Sequence, residues 1–247
     1  MAASLRSAQE TNIDSFWLVE REIGMKSASG ARSGLMLRKL PMDGAIAMVI
    51  SHINRKGTTY YLHEARSAKG AVRYYFSTFD NDTLVESIPD GYEIYEKPDS
   101  AQVFLRKVKP REITVEEQAL ALQLARIASG SNSLVIDVEK NQIVVYFGTP
   151  YGLGLLEEMT GVRIQPGMIL SPGLQSARDA LVSRSVQFEK VLRFTLRDKD
   201  NRMFTCARWC FRGSIDGWVR IGSSGTLEQV VTRYAKHLGR ESFYELI

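Results

Sequence analysis

Between Val186 and Gly222 apolar and polar residues alternate with a period of two, in the runs VQFEKVLRFTLR, MFTCARWCF and GWVRIG. Period two is the repeat of a β-strand, whose successive side chains point to opposite faces of a sheet. The connections, Asp198-Lys199-Asp200-Asn201 and Gly213-Ser214-Ile215-Asp216-Gly217, are turn chemistry, so the runs read as an antiparallel meander. Upstream, SLVIDV and QIVVYFG flank Glu139-Lys140-Asn141 and read as a buried hairpin. Three helices accompany these strands. Thr114-x-x-Glu117 is a capping box opening a helix that carries Ala119, Leu120, Leu122, Leu124 and Ile127 and stops at Ser129-Gly130-Ser131. Ser171-Pro172 opens a second that runs to about Ser183. Thr226-x-x-Gln229 caps a last helix that ends at Gly239.

The stretch from Met48 to about Pro110 is β-rich. Three runs rich in Val, Ile, Thr, Tyr and Phe are separated by RKG and SAKG, followed by YEIYE and QVFLRKV around KPDSA. DNDTLVESI, residues 80–88, is expected to be one short helix capped by Asp82 or Thr83, making the region a five-strand meander with one helical turn. The basic, proline-containing KVKPR is the best boundary. The sequence thus predicts an α+β fold, with a small antiparallel β-rich module over residues 48–110 and an α+β module over 111–247. Residues 1–47, with their small polar stretch MKSASGARSG, read either as a weakly ordered leader, with Met48 as an alternative start, or as a segment docked through Phe16 to Ile23.

Several chemistries are missing. Three histidines, His52, His63 and His237, are scattered, and the C-x3-C pair Cys206 and Cys210 has no histidine pair nearby, so no metal site is expected. On a strand these cysteines would stand about 13 Å apart, too far for a disulfide. No Walker loop, H-E-x-x-H, G-x-S-x-G or EF-hand loop occurs. Gly148-Thr149-Pro150-Tyr151-Gly152-Leu153-Gly154 lacks the lysine of a phosphate cradle, and Asp137-Val138-Glu139-Lys140 puts its acid and lysine on opposite strand faces, unlike a metal nuclease. The longest apolar run, Ala45 to Ile50, is far short of a membrane span, and no secretory signal follows Met1, which points to a cytoplasmic protein with reduced thiols and no cofactor.

Two patches remain as candidate binding sites. The chain carries 32 basic and 28 acidic residues, a net charge of only +4, yet the last third concentrates arginines on the predicted meander. Period two places Arg193 and Arg197 together, Arg208 and Arg212 together with Cys206 and Cys210, and Trp218 with Arg220. With those strands paired, Arg193, Arg197, Arg208, Arg212, Trp218 and Arg220 are expected to line one face. Guanidinium groups take phosphates, and an aromatic ring stacks on a base. The second patch is the hairpin TTYYLHEAR–SAKG–AVRYYFS, where Tyr61, His63, Arg73 and Tyr75 are expected to meet on one face. The preferred reading is therefore a non-enzymatic binding protein for single-stranded nucleic acid or another polyanion. The alternatives are an adaptor binding a protein partner through Tyr and Trp, and a hydrolase or transferase whose groups, with His63, Glu64 and Glu93 as candidates, converge only in the fold.

Overall fold

The computed structural model of the chain describes residues 32–39, 46–80, 83–150, 171–173, 176, 185–212 and 215–246. Among them the fold is α+β, built from antiparallel sheets and two α-helices. Strands β1 (Arg32–Lys39), β2 (Ile46–Ile53), β3 (Thr59–Arg66) and β4 (Val72–Ser77) form a four-stranded sheet in sequential order. Strands β5 (Tyr92–Glu96) and β6 (Val103–Lys107) form a separate hairpin. Helix α1 (Val115–Ser129) follows, and then β7 (Leu134–Glu139), β8 (Gln142–Pro150), β9 (Val186–Asp198), β10 (Met203–Arg212) and β11 (Ile215–Thr226) make a five-stranded sheet in the order β11-β10-β9-β8-β7. Helix α2 (Leu227–Ala235) and a short 3-10 turn at Glu241–Phe243 complete it.

Both helices start where the capping boxes require. Thr114 accepts from the Glu117 amide while the Glu117 carboxylate takes the Thr114 amide; Thr226 and Gln229 do the same for α2. Gly130 closes α1 at a φ of 69°, the left-handed conformation that glycine adopts without Cβ strain. The helix expected from Ser171 to about Ser183 lies largely outside the described residues. The described residues of the expected helix, 83–88, are not helical: Leu84 bridges His63 of β3, the Glu64 amide donates to the Thr83 carbonyl and the Val85 amide to that of Leu62. The reason is local. Pro89 disfavours helix at the residue before it, and a helix this short gains too few bonds to offset nucleation.

The core is one face of the five-stranded sheet covered by α1 and α2. In one row across the five strands Val138, Ile143, Phe194, Cys206 and Ile221 stand opposite one another, all buried. Ala121, Leu122 and Ala125 of α1 and Val230, Val231 and Tyr234 of α2 close over them. Each fully buried Leu, Ile or Phe here is worth roughly 1.5–3 kcal/mol of transfer free energy, which makes this layer the dominant stabilising element. The first β region docks on the opposite face, at the β7–β9 side. There Tyr95 donates to the Asp137 carboxylate at 2.8 Å, and the Arg55 guanidinium lies 4.9 Å from the centre of the Phe188 ring.

Candidate functional site

Side chains directly opposite in an antiparallel ladder share a face, so the register decides which of the arginines meet. One row crosses all five strands as Asp137, Val144, Arg193, Ala207 and Arg220. The neighbouring row carries Trp209 opposite Trp218. Arg193, Trp218 and Arg220 therefore project from the face away from α1 and α2. Arg197 joins them, its Nε donating to the Thr205 hydroxyl at 3.4 Å.

Arg208 does not. It stands opposite Leu192 and Val219, in a row that continues through Val145 and Ile136 on the helix-covered side. It is only 6% exposed, and its Nη1 donates to the Phe243 carbonyl at 3.3 Å. The expectation that Arg208 joins the arginine face is corrected by this register, because Ala207, one position away, is what pairs with Arg193. Arg212 shares Arg208's strand parity, and its side chain lies outside the described atoms. The same parity turns Trp209 and Phe211 outward with Arg193. A signal was present in β10: Phe204, Cys206 and Cys210 share one parity, and cysteine and phenylalanine are among the most buried residue types.

The resulting open face is aromatic and cationic. Lys190 Nζ sits 3.4 Å from the Trp209 ring centre and the Arg193 guanidinium 4.7 Å from that of Trp218. The two indoles meet edge to face at 5.2 Å and 76°. Phe211 continues the aromatic line and is 81% exposed. Among the described residues no carboxylate forms an ion pair with Lys190, Arg193, Arg197 or Arg220. Arg193 Nε is buried without a hydrogen-bond partner, and burial together with the nearby Arg197 charge pulls the guanidinium below its ordinary pKa. Both effects favour an incoming anion. Two acids share this face: Asp137 at its β7 end, and Asp216, exposed on the outermost strand β11.

The second patch assembles in the expected register, with Tyr61 opposite Ser77, His63 opposite Tyr75 and Ala65 opposite Arg73. Its centre is closed, however. His63 is 0% exposed and stacked on Tyr75 at 5.2 Å. Its Nε2–H donates to the Phe79 carbonyl at 2.9 Å, leaving Nδ1 to accept the Thr83 hydroxyl at 3.0 Å. This is a satisfied structural histidine. Glu93 is likewise occupied, accepting from Arg106 and Arg111 at 2.8 and 2.6 Å, so two of the three groups weighed for catalysis are committed elsewhere, while Glu64 stands partly exposed beside Arg66.

Both cysteines are buried thiols, and burial pushes Cys206 well above the ordinary thiol range, which suppresses the nucleophilic thiolate. Among the described residues no group of three or more His, Cys, Asp or Glu side chains is placed to hold a metal ion, and no helix is long and apolar enough to cross a membrane. Comparison with family models, with curated proteins and with solved structures finds no match to this chain.

Proposed function

We propose that the protein binds single-stranded nucleic acid, or another polyanion, on the face formed by Lys190, Arg193, Arg197, Trp209, Phe211, Trp218 and Arg220. The observation that carries this reading is the pairing of cations with aromatic rings on one sheet face, with the cations unpaired by any described carboxylate. Phosphates take the Lys and Arg head groups, and bases stack on the rings, a combination that tolerates any sequence. The reading places the protein in the cytoplasm, with its thiols reduced, and divides it near Pro110 into a β-rich and an α+β module.

The test is fluorescence anisotropy of a labelled single-stranded oligonucleotide at low and moderate salt. Binding should weaken steeply with salt, and Arg193→Ala with Arg197→Ala should reduce the log–log salt slope by about two units and weaken binding roughly tenfold or more. Trp218→Ala should cost a further ~1–3 kcal/mol. Absence of wild-type binding at low salt, or binding indifferent to these substitutions, overturns the reading. The exposure of Phe211 favours a second one, an apolar contact with a protein partner. Such a contact would change little with salt and be lost on Phe211→Ala.

A further inference from the structure

We propose that the chain forms a two-fold dimer in which the outer edge of β11 pairs antiparallel with β11 of a second copy, centred on Trp218. Strand β11 is the last strand of its sheet among the described residues, and none of them pairs with its outer edge. An open edge of this kind is a template for another strand unless something blunts it. Here the flat part of the edge has definite limits. It begins at Ile215, and the ladder with β10 shifts register beyond Ile221, where Gly222 takes a φ of 56°. A Cβ on Gly222 would fall 1.8 Å from the Tyr234 hydroxyl oxygen, so the strand turns in against α2 at that point. Trp218 lies midway between Ile215 and Ile221.

The charge pattern about that midpoint is self-complementary. Asp216, Trp218 and Arg220 alternate along one face of the strand. A two-fold axis at Trp218 sets Asp216 of each copy opposite Arg220 of the other and places the two Trp218 side chains across the axis. Parallel pairing would set Asp216 against Asp216. Sliding the antiparallel pair by one residue per strand would lose both ion pairs. Within the chain, neither Asp216 nor Arg220 forms a described ion pair. On the other face the same axis sets Gly217 opposite Val219. Val219 is partly exposed, and the space a Cβ on Gly217 would enter is empty, leaving room for it. A tryptophan at the centre of a small interface is the residue most often found to anchor one.

This inference does not depend on nucleic-acid binding, but it gives Asp216 a partner that the binding reading does not. Asp216 is an acid beside the cations of β9 to β11, and in the dimer it is neutralised by Arg220 of the other copy. Lys190, Arg193 and Arg197 of both copies then lie on one continuous sheet face.

The test is sedimentation velocity of the full chain across the micromolar range at low salt, with circular dichroism on every variant. The wild type should show a concentration-dependent dimer. Asp216→Arg alone and Arg220→Asp alone each set like charges opposite one another twice, and each should weaken dimerisation at least tenfold. Mixing the two variants should restore the dimer mass, because every opposed pair is then of opposite sign. The mixture also shows that both variants are folded. A monomeric wild type throughout the range, single variants that dimerise as well as the wild type, or a mixture that stays monomeric would each overturn the proposal. If either reversal unfolds the chain, Asp216→Ala and Arg220→Ala should each weaken the dimer several-fold, and an unchanged association would overturn it equally.

Discussion

Arg208 carries a charge into the apolar side of the sheet, while Arg193, on the adjacent strand, carries one out of it. Their environments fix different consequences for the same truncation. Arg208 donates to the Phe243 carbonyl and lies 5.9 Å from the Phe243 ring, so its long stem and head group hold the C-terminal turn against β10. Arg208→Ala removes that packing and leaves a buried carbonyl without its donor, at a cost of about 2 kcal/mol or more. A urea unfolding curve should show it as a lowered midpoint at unchanged slope. Oligonucleotide affinity of the folded fraction should stay at the wild-type value, since Arg208 is on the wrong face. Arg193→Ala should do the reverse, with little change in stability and clear loss of binding. Equal stability losses for the two variants would show that the faces have been misassigned.

At the scale of elements, what could be read from the sequence was whatever a short stretch decides by itself. Thr114 with Glu117, and Thr226 with Gln229, announce helix starts because cap and acceptor lie three residues apart. The Glu139-Lys140-Asn141 turn and the alternation of β9 to β11 are equally local. Register is not local. A one-residue slip in how β10 meets β9 exchanges Ala207 for Arg208 and turns a predicted row of arginines inside out. The same limit hid the polar clasp that joins the β2–β3 turn to the β5–β6 hairpin. There Glu96 accepts from Arg55 Nη1 at 2.7 Å and from His52 Nε2 at 3.2 Å, and Arg55 also donates to the carbonyls of Lys97 and Pro98. The Arg55 and Glu96 side chains are only 7% and 8% exposed, and burial outweighs Glu96 in setting the direction of the Arg55 shift, which is downward. Removing the carboxylate charge leaves a guanidinium buried against a neutral partner, which typically costs about 3–5 kcal/mol. Glu96→Gln should therefore destabilise far more than removal of an exposed pair such as Lys97 with Asp99, worth about 0–1 kcal/mol. Matched chemical denaturation of the two variants separates the cases, and a loss at Glu96 no larger than at Asp99 would mean that the clasp is solvated.

Across the whole molecule, the first β region and the five-stranded sheet meet at a titratable contact. Tyr95 on β5 donates to Asp137 on β7, whose carboxyl is pushed up by burial and by the nearby Glu139 against the opposing pull of the Tyr95 hydrogen bond and the Arg106 charge. Tyr146, on the same face, is itself pushed up to about 12, chiefly by burial. The sign of the linkage follows from the direction at Asp137. Between the ordinary aspartate value of 3.8 and its raised folded value, the native chain holds a proton that the unfolded chain has lost. This group therefore favours folding most at acid pH, and its contribution falls as pH rises through that window. Asp137→Asn keeps a carbonyl to accept from Tyr95 and abolishes the titration. Plotted against pH, the stability of the wild type minus that of Asp137→Asn should decline as pH rises above the ordinary aspartate value of 3.8 and level off once the folded carboxyl has ionised. Tyr95→Phe should act in the opposite sense. With its donor gone, the buried carboxylate is harder to ionise, so this variant should lose about 1–3 kcal/mol near neutrality and less at acid pH. A flat difference curve for Asp137→Asn would show that water reaches Asp137 and that the two parts of the chain are not held together by a dry contact there. A declining curve, together with a Tyr95→Phe loss that grows with pH, would establish that their docking is tied to this one carboxyl.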